Sequence, residues 1–156
     1  MSNLTIALDV MGGDHGPLST LPAAKLALAK YPNLHLILCG DEEIVQPYLL
    51  QNNLTNNPRV TLRHCSEQIA MGDRPAQVLR GKPDASMRVA LELVKDEDAA
   101  ACVSAGNTGA LLVLAHYVLK TLPGIERPAL ISSLPTDSKH KVFLLDLGAN
   151  VSCTSD

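Results

Sequence analysis

Apolar positions fall into two kinds of run that alternate along the chain. Short aliphatic blocks at residues 4–10, 34–39, 59–64 and 99–104 are bounded by Gly, Pro, Asn or Asp, which predicts buried strands. Between them, residues 18–30 and 86–95 carry apolar side chains at helical spacing, with Met87, Ala90, Leu91 and Val94 on one stripe of the second. Acidic Asp41, Glu42 and Glu43 predict the start of a helix reaching about residue 50. Pro22 is expected in the first turn of its helix, where proline is tolerated, and Pro47 is expected to kink or shorten the next one. A short helix is expected at 72–80, a longer one at 108–120, and two further strands at 130–134 and 142–147. Strands alternating with helices predict an α/β fold with parallel pairing, right-handed crossovers and a sheet covered on both faces. Ligands in such sheets bind beyond the carboxyl ends of the strands.

Three loops follow predicted strands and could open on that one rim. The most distinctive is Val103-Ser104-Ala105-Gly106-Asn107-Thr108-Gly109-Ala110-Leu111, which reads as strand, tight turn and first helical turn. Gly106 would admit a positive φ or a close ligand. Asn107 or Ser104 would cap the helix, and the amides left over favour an anion. The spacing fits neither a Walker loop nor Gly-x-Gly-x-x-Gly. The other two loops are Gly12-Gly13-Asp14 and Gly148-Ala149-Asn150, the latter just after Asp146.

Composition narrows the choice. The 156 residues suit one domain, and with 3% aromatics the core must be aliphatic. A net charge of −3 and the lack of tryptophan argue against a nucleic-acid binder. The four cysteines contain no Cys-x-x-Cys pair and the five histidines are scattered, so reduced thiols in the cytoplasm are expected, with no metal site. The N-terminus lacks a signal-peptide layout, and the apolar run at 110–119 is too short to span a bilayer.

Five blocks, taken in order, resemble the bacterial acyl-[acyl-carrier-protein]:phosphate acyltransferases of phospholipid synthesis, the PlsX family. They are Ala7-Leu8-Asp9-Val10-Met11-Gly12-Gly13-Asp14, Ser86-Met87-Arg88-Val89-Ala90-Leu91-Glu92-Leu93-Val94, residues 103–111, Gly124-Ile125-Glu126-Arg127-Pro128-Ala129-Leu130, and Leu145-Asp146-Leu147-Gly148-Ala149-Asn150. Family members are longer, and this chain resembles their N-terminal half. Ala85-Ser86-Met87 departs from the Ser-Ser-Met common in the family. The resemblance implies a three-layer α/β/α sandwich with a mainly parallel sheet, similar to the isocitrate/isopropylmalate dehydrogenases, and a homodimer. It implies transfer of a fatty acyl group from acyl carrier protein to inorganic phosphate without a cofactor, in the cytoplasm, with peripheral association to a membrane acyltransferase that uses the acyl phosphate.

Attack of phosphate on a thioester needs an anion site, donors for the oxyanion and exclusion of water, so positioning and electrostatics should dominate. The expected catalytic residues are Asn107, Lys82 and Arg88, the cations aiding phosphate at the 106–109 turn. Substrate contacts are expected at Gly12, Gly13, Asp14, Ser86, Ser104, Gly106, Thr108, Gly109, Asp146, Gly148 and Asn150. Simpler readings stand beside these: Lys82 as a solvated charge, Arg88 paired with Glu92, and Asp9 binding the backbone N–H groups of its glycine-rich turn. The basic side chains between Arg59 and Arg88 would suit an acidic carrier protein or merely a solvated face. A non-catalytic carrier-binding scaffold and an NAD-dependent relative of the same fold are the alternatives.

Overall fold

The computed structural model describes residues 3–137 and 140–145. β1 (Leu4–Asp9), β2 (Leu34–Gly40), β3 (Val60–His64) and β4 (Ala101–Ser104) form a parallel sheet in the order β3-β2-β1-β4. Register places Leu4 beside Leu34, Leu36 beside Val60, and Asp9 beside both Cys39 and Ser104. β1 therefore lies inside the sheet, and its carboxyl end meets those of β2 and β4.

Alternation along the strands sorts the side chains to two helical layers. Leu34, Leu36 and Leu38 join Leu21, Ala24 and Leu28 of α1 (Pro17–Lys30) and Val45 and Leu49 of α2 (Glu42–Gln51) in one cluster. On the other face, Ala7 and Cys39 pack with Val89 and Ala90 of α4 (Ser86–Lys95). Val78 of α3 (Pro75–Gly81) and Ala110 and Leu114 of α5 (Thr108–Leu119) pack with Met87 and Leu91 of α4. Among the described residues no helix is long and apolar enough to cross a membrane.

The prolines behave differently from expectation. Pro17, placed by the sequence in the preceding loop, opens α1, and Pro22 lies beyond the first turn. Pro47 sits inside α2, which nevertheless runs on to Gln51. An interior proline costs about 3 kcal/mol, but each fully buried leucine contributes about 1.5–3 kcal/mol. Leu21 and Leu28 on α1, and Leu49 with Val45 on α2, are enough to offset it. The Asp41 side chain adds an N-cap, accepting from Glu43 N.

A second correction concerns the last two strands. β5 (Ile131–Pro135) and β6 (Lys141–Leu145) pair with each other, antiparallel, as a separate two-stranded sheet instead of extending the parallel one. The connector 136–140 is far shorter than the dozen or so residues a parallel crossover needs. Ile131, Leu134, Val142, Phe143 and Leu145 remain exposed.

Candidate active site

The carboxyl end of β1 carries a buried aspartate, Asp9, with no ion-pair partner among the described residues. Asp9 Oδ1 accepts from Ser86 Oγ at 2.6 Å, and Oδ2 accepts from Ser104 Oγ at 2.6 Å. Ser104 Oγ in turn accepts from Gly106 N at 3.1 Å. The link to Ser104 follows from register, because Asp9 and Ser104 are neighbours across the β1–β4 ladder. Ser86 is the first residue of α4, so the carboxylate also lies at the positive end of that helix dipole. Asp9 was expected to bind backbone N–H groups of its own turn. It is held instead by two hydroxyls, and so ties together the end of β1, the start of α4 and the turn after β4. Ala85, the position where the sequence departs from the family's Ser-Ser-Met, is the N-cap of α4 and supplies no side-chain cap.

The two glycine loops meet at bare backbone. A Cβ on Gly12 would lie 2.6 Å from Asp9 Oδ2 and 2.9 Å from Gly106 N. A Cβ on Gly106 would lie 2.8 Å from Met87 Cε and 3.4 Å from Gly12 Cα. Gly106 is not in the left-handed region that the sequence suggested for it, so close packing rather than φ selects glycine there. Gly13 is the residue that needs the freedom, with φ 89° and its backbone against Ala105. Gly109 brings the start of α5 against Pro75, where an added Cβ would be 3.2 Å from Cγ.

Asn107 caps α5 as expected, its Oδ1 accepting from Ala110 N at 3.0 Å. Its amide nitrogen donates to Met71 O at 3.0 Å and Asp73 O at 2.9 Å, which fastens the 70–73 loop to the helix start. That side chain is thus fully engaged. Thr108 and Gly109, the first two residues of α5, have backbone amides with no intrahelical acceptor.

Neither expected cation stands free. Lys82 Nζ pairs with the Asp73 carboxylate and donates to Gln68 O. Lys82 hydrogen bonding, with help from Ala70 N, holds the Asp73 carboxyl below its ordinary range. Arg88 Nε pairs with Glu92 at 3.0 Å, the i,i+4 partner foreseen for it, and its guanidinium lies 5.9 Å from the Tyr117 ring centre. Asp14 and His15 are exposed on an open depression of about 490 Å³ shared with Ile69, Ala70 and Met71. Asp146, Gly148 and Asn150 lie outside the described residues.

Sequence reasoning missed Asp73, which links Lys82, Ala70 and, through its carbonyl, Asn107; only the Asp-Arg-Pro helix entry hinted at it. It also missed the clamp of Asp84 on Ser66, whose hydroxyl and N–H donate at 2.6 and 2.7 Å and depress the Asp84 pKa. Beneath the site lie three thiols. A hydrogen bond with Cys65, then burial, pushes Cys39 far up, and burial pushes Cys102 up to about 12.

Residues 4–156 match the family model described as fatty acid synthesis protein. A phosphate acyltransferase of Ectopseudomonas mendocina (strain ymp) is 56% identical over 156 residues, covering 100% of this chain and 46% of the relative. One from Colwellia psychrerythraea is 56% identical over 160 residues, covering 99% and 46%, and one from Shewanella woodyi is 51% identical over 156 residues, covering 100% and 46%. The chain spans about half the length of the curated relatives it matches. With all five sequence blocks inside one continuous match, this chain belongs to the fatty acid synthesis protein family that includes the PlsX phosphate acyltransferases.

Proposed function

We propose that this chain is part of a phosphate acyltransferase that moves a fatty acyl group from acyl carrier protein to inorganic phosphate. One observation carries the reading: relatives named phosphate acyltransferase match the chain from end to end at 56% identity. A phosphate oxygen attacks the thioester carbonyl, the C–S bond breaks, and the carrier leaves as a thiolate that takes a proton. The products are acyl phosphate and free carrier.

In this proposal phosphate sits on the Thr108 and Gly109 amides, beside Gly12, Gly13 and Gly106, because α5 starts just past the carboxyl end of β4 and its dipole favours an anion. Asn107 fixes their position through its cap and its grip on residues 70–73. Ser86 and Ser104 act through Asp9, and Asp14 borders the approach from the 490 Å³ depression. Lys82 and Arg88 would supply charge by exchanging Asp73 and Glu92 for the substrate. Asp146, Gly148 and Asn150 are included as substrate contacts on the family resemblance alone.

The remainder of the proposal is architectural. The chain forms a single α/β domain, residues 1–156, of a three-layer sandwich of the isocitrate/isopropylmalate dehydrogenase type. The whole protein is a cytoplasmic homodimer that delivers acyl phosphate to a membrane acyltransferase.

The test is acyl phosphate formation from acyl-acyl carrier protein and phosphate, trapped as the hydroxamate. It compares this chain with the same chain continued by the unmatched part of the Ectopseudomonas mendocina relative. Phosphate-dependent product from the continued chain is expected. Carrier binding without product would leave a scaffold, and reduction of NAD by a hydroxy acid substrate would indicate a dehydrogenase; either overturns the proposal.

A further inference from the structure

The two faces of β4 are treated differently. Cys102 faces inward against α4 and α5, whereas Val103, on the opposite face, is 51% exposed. Here α1 covers β2 and part of β1 and then stops. Beyond it runs a groove of about 810 Å³ floored by Leu4, Ile6, Leu8 and Val103 and walled by Ala23 and Ala27 of α1. Among the described residues β4 pairs with β1 alone and forms the edge of the sheet.

We infer that this groove is the seam on which the rest of the family's chain packs, an aliphatic helix lying along β1 and β4. Three observations favour that occupant. More than half of each relative lies outside the match, so a large folded segment is available to cover the face. β1's six residues span about 20 Å at ~3.3 Å each, the length of about 13 helical residues. The lining is apolar apart from Ser19, Thr20, Asn33, Ser104 and the Tyr31 hydroxyl, as for the layer that α1 and α2 already bury. This inference rests on family membership and does not depend on the proposed reaction.

Hydrogen exchange tests it on two chains: the 156-residue protein, and the same protein continued by the unmatched part of the Ectopseudomonas mendocina relative. The continued chain should slow exchange at least tenfold across residues 19–34 and 101–105, with β3 on the far edge unchanged. Ala27→Glu, on the groove wall, should cancel that protection, while Leu26→Glu, exposed on α1 outside the groove, should not. Equal exchange in the two chains would overturn the inference. So would protection already present in the shorter chain with a dimeric mass, which makes a second copy the occupant. Protection of the shorter chain by palmitate with none from the continuation would assign the groove to lipid. If Ala27→Glu unfolds the shorter chain, Val103→Lys at the groove floor gives the same readout.

Discussion

Asp9→Asn keeps the size of a fully buried side chain and removes its charge. Both carboxylate oxygens accept hydroxyl hydrogens at 2.6 Å, and the amide can accept only one of them. If its NH2 faces Ser104, that hydroxyl receives two donors, the amide and Gly106 N, and its own hydrogen loses its acceptor. If it faces Ser86, that hydroxyl must turn away. Hydrogen bonds to a charged group contribute about 1.5–3 kcal/mol each, against about 1 kcal/mol for a neutral one. Losing one and weakening the other costs about 2–4 kcal/mol, a large share of the ~5–15 kcal/mol that holds a domain folded. At ~2–4 °C per kcal/mol for a chain of this size, the melting temperature should fall by about 4–16 °C. Thermal and urea unfolding followed by circular dichroism measure it. Ser86→Ala and Ser104→Ala should each destabilise the wild type and cost much less in the Asp9→Asn background, because they share one acceptor. A melting temperature within about 1 °C of wild type, or fully additive double mutants, would refute the account.

Gly12→Ala should destabilise more than Gly106→Ala in urea titrations, since the first new methyl meets a carboxylate and a backbone amide and the second mainly a flexible thioether. The reverse order would place the tight contact elsewhere. Asn107→Asp keeps the oxygen that caps α5 but loses the donors to Met71 and Asp73, so it should loosen residues 70–73 in hydrogen exchange with little loss of α5 stability. Asn107→Ala should do both, at about 1 kcal/mol for the cap; identical behaviour of the two variants would sink that division of labour. Folding depresses the carboxyls of Asp73, through Lys82, and Asp84, through Ser66. Depressed carboxyls contribute stability above their unfolded value of 3.8 and lose it as pH falls through the folded value. Asp84→Asn should therefore flatten the acid limb of a stability profile taken from about pH 6 to about pH 2, and a steeper limb would contradict it.

Much of the scaffold was legible because its causes are local. The apolar stripe from Met87 to Val94 marks α4, and the Asp41 and Asn107 caps mark two helix starts within a residue. Direction of pairing was not legible from alternation, which is the same in parallel and antiparallel strands, so the antiparallel β5–β6 ribbon was missed although its short connector excludes a parallel crossover. At the site, the glycines and Asn107 announced a turn, but their reasons are tertiary. Ser86 and Ser104 reach Asp9 across 77 and 95 residues of chain, and no periodicity encodes such a meeting. Pro22 and Pro47 misled because propensity was outweighed by buried leucines on the same helices.

The sulfhydryls beneath the strand rim have a consequence for any protein that handles thioesters and mixed anhydrides. An activated acyl donor modifies thiolates first, and Cys39, Cys65 and Cys102 share one cluster with Ala7, Val89 and Ala90. A hydrogen bond with Cys65 and then burial keep Cys39 protonated, burial does the same for Cys102, and Cys65 has no solvent exposure at all. Among the described residues, the thiols packed against this sheet are thereby poor targets for such a donor.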